Sequence, residues 1–160
     1  MSSNIKKHEL NSGKILSLEF LNSKKKNALS LSMLDELIII LSDLKYINKF
    51  HCISFSGANK GPFSTGADLE DIKKLILSKN ISKYHNKMNQ VILLLKKINI
   101  PTVSLVKYYC IGAGFILALQ SDIIIADENT KFSIPASKLN IEIPRKQLSN
   151  MKKKINSIFL

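Results

Sequence analysis

The 160 residues contain no tryptophan, a single arginine (Arg145), two cysteines and four prolines. Cys52 and Cys110 lie far apart in apolar runs, with no CxxC spacing and no partner histidine at metal-ligand spacing in the sequence. That excludes a disulfide scaffold and predicts no metal site; both read as reduced, buried thiols. Four prolines and six glycines exclude a Pro-rich linker and a collagen-like chain. The longest apolar stretch, 108–119, is too short to span a bilayer and is followed by Gln120, Ser121 and Asp122. The start, MSSNIKKHELNSGK, lacks the apolar segment of a secretory signal and has no arginine to suggest a transit peptide. These shortages predict a soluble, cytoplasmic protein with no membrane partner.

Apolar residues make up 45% and charged residues 22%, enough for one domain with a core. The formal net charge is +12. Charge alone would suggest a basic module that binds nucleic acid non-specifically. Its composition points elsewhere: 23 lysines accompany 23 isoleucines and 14 asparagines, the pattern of a codon bias. A chain that reads base edges would use the bidentate fork of arginine. No specific nucleic-acid partner is expected.

Strands and helices alternate along the chain. Residues 14–20 (KILSLEF) alternate apolar and polar and predict a strand. Residues 22–27 form a polar loop with Lys24, Lys25 and Lys26. Apolar residues at 31, 34, 37, 38, 41, 44 and 47 predict one amphipathic helix, capped by Ser30 or Ser32, with Asp35 and Glu36 in its first turn. Strands are expected at 52–56, 102–106 and 123–126. A short helix should start near Ala67, and a longer one should carry Tyr84, Met88, Val91, Ile92, Leu95 and Ile98 on one face. A buried helix is expected at 112–120 and a basic one at 146–158. The order gives an α/β domain built from right-handed crossovers.

Two segments place glycine between a strand and a helix: Gly57-Ala-Asn-Lys-Gly-Pro-Phe-Ser-Thr-Gly66-Ala67-Asp68-Leu69, and Cys110-Ile-Gly112-Ala113-Gly114-Phe115. Helix starts carry free N–H groups, and two of them facing one point would give one oxygen two donors, as an oxyanion hole requires. Tight packing of a helix on a sheet also calls for glycine and stands as the alternative. Neither segment is a P-loop or a GxGxxG fingerprint. Asp68 reads as a helix cap. His8, His51 and His85 form no catalytic set, and Asp122 and Glu142, which follow the second segment in the chain, are taken as further carboxylate candidates.

The runs Asn27-Ala28-Leu29-Ser30, Phe63-Ser64-Thr65-Gly66-Ala67-Asp68-Leu69, Pro101-Thr102-Val103, Ile111-Gly112-Ala113-Gly114, Ser121-Asp122-Ile123-Ile124-Ile125-Ala126 and Lys131-Phe132-Ser133-Ile134-Pro135 together resemble the enoyl-CoA hydratase/isomerase (crotonase) family. The resemblance runs from about Lys14 to the end. It implies a crotonase-like spiral of ββα units that acts on acyl-coenzyme A thioesters in fatty-acid or acyl-CoA metabolism. Coenzyme A would enter only as part of the substrate, with no tightly bound cofactor. The N–H groups of Ala67 and Ala113 would hold the thioester oxygen and stabilise an enolate. Lys26, Ala28, Gly66, Asp68, Leu69, Gly112 and Gly114 would line the coenzyme and acyl path.

The family's two acid–base glutamates correspond to Ile116 and Ala136 here, and its middle glycine to Ala113. Members of the family continue into helices that close the acyl pocket and build trimers or hexamers. This chain ends at Ile158-Phe159-Leu160 without a glycine cap or proline. The expectation is a flexible tail over 1–13 and a core over 14–160 that lacks the family's C-terminal helices and some of the contacts for oligomers. A noncatalytic fragment with residual coenzyme A binding is the alternative to an active enzyme.

Overall fold

The structure, a computed structural model, describes residues 4–58 and 61–135 together with Ser149 and Lys152. Ala136, Glu142 and Arg145 lie outside the described residues, and of the basic helix expected at 146–158 only Ser149 and Lys152 are described, both helical.

The strands are β1 (Ile5–Leu10), β2 (Ile15–Phe20), β3 (Cys52–Gly57), β4 (Thr102–Val106), β5 (Tyr109–Ile111), β6 (Ile123–Ala126) and β7 (Lys131–Ser133). The helices are α1 (Leu31–Ser42), α2 (Leu44–Ile47), α3 (Leu69–Leu77), α4 (Ser82–Leu95) and α5 (Ala113–Ala118). Five strands form one sheet in the order β1-β2-β3-β4-β6, and β5 and β7 form a second, two-stranded one. From β2 to β6 all pairings are parallel. Parallel neighbours need a crossover; α1 with α2 provides the first, α3 with α4 the second, and the β5–α5 segment the third.

The flexible tail expected over 1–13 is corrected at β1. This strand pairs antiparallel with β2 from Ile5↔Phe20 to Leu10↔Ile15. Ile5 is buried in the core while Lys6, Lys7, Glu9 and Leu10 stay exposed. An edge strand with one inward apolar residue and charged neighbours carries little hydrophobic signal, and such charges suit an edge. The turn uses Asn11, Ser12 and Gly13, all at positive φ. The single helix expected over 31–47 is also corrected. It breaks at Asp43, whose carboxylate accepts from the Tyr46 N–H at 3.0 Å and so caps a new turn instead of continuing the old one. Ser30 caps α1 by accepting from the Met33 N–H at 3.2 Å.

One face of the large sheet meets the helices. Leu16, Leu18 and Phe20 of β2 lie beside Ile53 and Phe55 of β3, and α1 and α4 contribute Leu34, Leu37, Tyr84, Met88 and Val91 to the same cluster. Phe20 is fully buried, with ring centroids 6.5 Å from Phe55 and 5.4 Å from Phe63. Register puts Leu105 beside Ile125 on the opposite face, where both are exposed together with Ile123.

Helix α3 begins at Asp68, whose side chain accepts from the Glu70 N–H at 2.9 Å. The carboxylate is nearly buried, and Lys25 Nζ sits 2.8 Å from it and 2.8 Å from Glu70. Burial by itself would push the Asp68 carboxyl up; the hydrogen bond from Lys25 and those from the Glu70 and Asp71 N–H groups outweigh it and hold the carboxyl below the usual range. The Lys25 ammonium is raised in turn, first by its hydrogen bond to Asp68 and then by the one to Glu70.

Two outcomes are expected. Phe20→Ala should cost about 3–5 kcal/mol in urea unfolding, whereas Ile39→Ala, at an exposed position, should stay within about 0.5 kcal/mol. Asp68→Asn keeps a capping side chain but removes the charge. An unfolded aspartate titrates near 3.9, above the folded value, so the carboxylate stabilises the fold above that pH and loses its contribution as the pH falls through the folded value. The thermal midpoints of the parent chain and Asp68→Asn should therefore differ at pH 7 and converge below about pH 4. A constant gap at every pH would contradict the assignment.

Candidate functional site

Strand β3 opens at its C-terminal end into the loop that holds Gly61 and Gly66, and β4 leads through Lys107, Tyr108 and β5 to Gly112; in parallel sheets the C-terminal end is where ligands bind. The two loops are tied together by backbone. Ser64 bridges Cys110 of β5: its N–H donates to the Tyr109 carbonyl at 3.0 Å, and the Ile111 N–H donates to its carbonyl at 3.0 Å. Gly66 follows at φ +103°, a region closed to most side chains. A Cβ at Gly66 would stand 3.0 Å from the Ile111 carbonyl oxygen and 3.6 Å from the Ala113 nitrogen. A Cβ at Gly114 would stand 2.6 Å from the Ser64 Cβ. The two loops therefore pack backbone against backbone, and the sequence-predicted residues Gly66, Ala67, Gly112, Ala113 and Gly114 are brought together.

The peptide planes at the contact are fixed. Leu29 N–H donates to the Gly66 carbonyl at 2.7 Å, and Asp68 N–H donates to the Leu29 carbonyl at 3.0 Å. In a planar trans peptide the Ala67 N–H points opposite to the Gly66 carbonyl, hence away from Leu29. Gly112 is anchored by its N–H to Ser133 of β7 at 2.8 Å, and its carbonyl accepts from Ile116 at 3.0 Å within α5. The Ala113 N–H thus points out of the helix start. Among the described residues, neither the Ala67 nor the Ala113 N–H has an acceptor. Two neutral donors on touching loops can bind an oxygen that carries or develops negative charge.

The loop over 22–30 supports this contact. Asn27 is buried at φ +56°; its Nδ2 donates to the Pro62 carbonyl at 2.7 Å and its Oδ1 accepts from the Asn22 N–H at 2.9 Å. Ala28 is buried, and its carbonyl accepts from Asn22 Nδ2 at 3.1 Å. Lys26 lies with its ammonium 5.7 Å from the Tyr109 ring centroid, while Lys25, not Lys26, makes the ion pairs. Leu69 opens α3 and is exposed. Beneath the loop, Tyr84 of α4 donates its hydroxyl to the Leu29 carbonyl at 3.0 Å. Sequence reading took Tyr84 only as a core residue and Ser64 only as part of a motif; the contacts that give them more are tertiary.

Other candidates fall elsewhere. Ile116 is half-buried in α5 and packs against the core. Asp122 is engaged at the opposite end of the sheet, accepting from the Thr102 N–H at 2.8 Å and its hydroxyl at 2.7 Å. His8 Nε2 faces Glu19 at 3.4 Å on the first hairpin, and His51 and His85 are exposed. Both cysteines are free thiols, and burial pushes the Cys110 thiol up to about 12. Among the described residues no cluster of three or more His, Cys, Asp or Glu side chains could hold a metal, and no helix is long and apolar enough to cross a membrane.

Known proteins resemble this chain in sequence and in fold. A short-chain-enoyl-CoA hydratase of Clostridium acetobutylicum is 27% identical over 81% of the chain, which covers 49% of that protein. A mitochondrial methylglutaconyl-CoA hydratase of Mus musculus is 31% identical over 72% of the chain and 37% of its own length. Among solved structures, an enoyl-CoA hydratase/carnithine racemase from Magnetospirillum magneticum superposes with a TM-score of 0.85 at 21% identity, covering 96% of this chain and 57% of that one. An enoyl-CoA hydratase from Shewanella pealeana gives a TM-score of 0.80 at 27% identity, covering 93% and 56%. The chain spans about half the length of these relatives, or less. The fold is that of the enoyl-CoA hydratases. The model of the enoyl-CoA hydratase/isomerase family matches residues 11–155, and the chain belongs to that family.

Proposed function

We propose that the chain binds an acyl-CoA thioester with the thioester oxygen between the N–H groups of Ala67 and Ala113, and that it does not add water to the acyl chain. The observation that supports this is the pair of unpartnered N–H groups on two loops in backbone contact. Such donors lower the energy of an enolate or enolate-like state without themselves moving a proton. Lys26, Ala28, Asp68 and Leu69 flank the path along which the coenzyme would lie. Asp68 shapes the path as the cap of α3, since Lys25 and backbone N–H groups occupy its carboxylate.

Ile116 favours binding over hydration. It stands where the family resemblance calls for an acid–base glutamate, and Ala136 stands at the second such position. Each general acid or base typically contributes about 10²–10⁴-fold. Hydration of crotonyl-CoA should therefore remain at background. Ile116→Glu with Ala136→Glu should restore a measurable rate if the acyl pocket is otherwise formed; robust hydration by the parent chain would refute the reading.

Binding is tested by calorimetric titration with acetyl-CoA and with free coenzyme A. The thioester should bind more tightly, because only it offers the oxygen. Ala113→Pro deletes one donor at the first position of α5, where proline is tolerated. The proline ring methylene also takes the place of the N–H proton, so acetyl-CoA binding should weaken by more than the roughly two- to tenfold of one lost neutral hydrogen bond, with free coenzyme A binding unchanged. Equal affinity for the two ligands in the parent chain would sink the proposal.

A further inference from the structure

We propose that Tyr84 is a positioning residue for the thioester site, acting through the Leu29 backbone on the direction of the Ala67 N–H. This rests on the reading of Ala67 and Ala113 as the donors.

The chain of contacts is short and continuous. The Tyr84 hydroxyl donates to the Leu29 carbonyl at 3.0 Å. The Leu29 N–H donates to the Gly66 carbonyl at 2.7 Å. That carbonyl and the Ala67 N–H belong to one planar peptide, so a rotation of one is a rotation of the other. Gly66 is at φ +103°, and as a glycine it has a wide range of alternative conformations. Nothing in its own side chain holds the peptide in place, so its orientation is set by its partners. On the N-terminal side the Gly66 N–H donates to Ser64 Oγ at 3.1 Å; on the C-terminal side the partner is Leu29.

Leu29 in turn has little freedom once Tyr84 is in place. Its carbonyl receives both the Asp68 N–H and the Tyr84 hydroxyl, and its side chain is fully buried. Tyr84 comes from α4, a 14-residue helix packed along α1, and is itself buried. The hydroxyl stays a donor throughout the working pH range: burial foremost, then the Asp71 and Asp68 carboxylates, hold the phenol above its ordinary value. The helix that follows the glycine loop thus returns beneath it and braces the peptide that carries the donor. A purely apolar residue at 84 would fill the same space without bracing it.

Tyr84→Phe removes the hydroxyl and keeps the ring, and the Leu29 carbonyl keeps its bond from Asp68. The experiment compares acetyl-CoA and free coenzyme A affinities in the parent chain and in this variant by calorimetry. The preference for acetyl-CoA should fall about two- to tenfold while coenzyme A affinity stays constant; a merely structural loss would weaken both alike. An undiminished preference, or an equal loss for both ligands, overturns the role of Tyr84. Absence of any preference in the parent chain overturns the thioester site itself and the role of Tyr84 with it. Should Tyr84→Phe not fold, 3-fluorotyrosine incorporated into the parent chain strengthens the phenol as a donor. The Ala67 amide resonance is then expected to shift, and an unmoved resonance would overturn the proposal.

Discussion

The close approach of Gly66 to the start of α5 admits no side chain between the two loops. A Cβ on Gly66 would press on the Ile111 carbonyl, and one on Gly114 would collide with Ser64. Most of what surrounds the site follows from meeting this constraint. The short pairing of Ser64 with Cys110 brings the loops to backbone distance, and β7 holds Gly112 from the far side. Asn27, at positive φ and hydrogen-bonded through both its amide oxygen and its amide nitrogen, lets the preceding loop turn under Pro62 and deliver Leu29 beside Ala67. The main chain supplies the donors, and the side chains set its shape.

The electrostatics of the region are consistent with that division. The charged side chains around the helix starts are held by named partners: Lys25 by Asp68 and Glu70, and Asp71 by the Leu31 N–H, from which it accepts at 2.7 Å. Carboxylates at helix N-termini are favoured by the helix dipole as well as by the hydrogen bonds they accept. These charges are therefore committed to architecture, and the donors left over are uncharged peptide groups. The site as proposed would polarise a carbonyl by geometry, with no titratable group among the partners of its donor peptides.

Much of the sheet was legible in the sequence because its strands are short, apolar and bounded by polar turns. The limits expected for β4 and β6 match those found, and the apolar spacing from Tyr84 to Leu95 marked the buried face of α4. What escaped did so for physical reasons. β1 is an edge strand whose signal is carried by hydrogen bonds to β2 and not by hydrophobicity. The break at Asp43 depends on a side chain capping the next turn, which periodicity does not register. β5 and β7 have three residues each, too few for a pattern. At the site, the glycine loops and Asp68 could be picked out by residue type and family likeness. The contributions of Lys25, Asn27 and Tyr84 arise from partners distant in sequence and became visible only in three dimensions.

The pairing pattern of the large sheet also bears on how the chain acquires its shape. Only the β1–β2 hairpin joins neighbours across a short turn; Ile15 must find Cys52, and Ile53 must find Thr102. Such non-local pairings bear the entropy of closing long loops before any contact repays it, which slows folding. Hairpins form in roughly microseconds. During synthesis the hairpin can therefore be complete well before its parallel partner β3 has emerged, and among the described strands of the large sheet β6 is made last. The growing edge stays open until then, and the isoleucines of β6 arrive at it last.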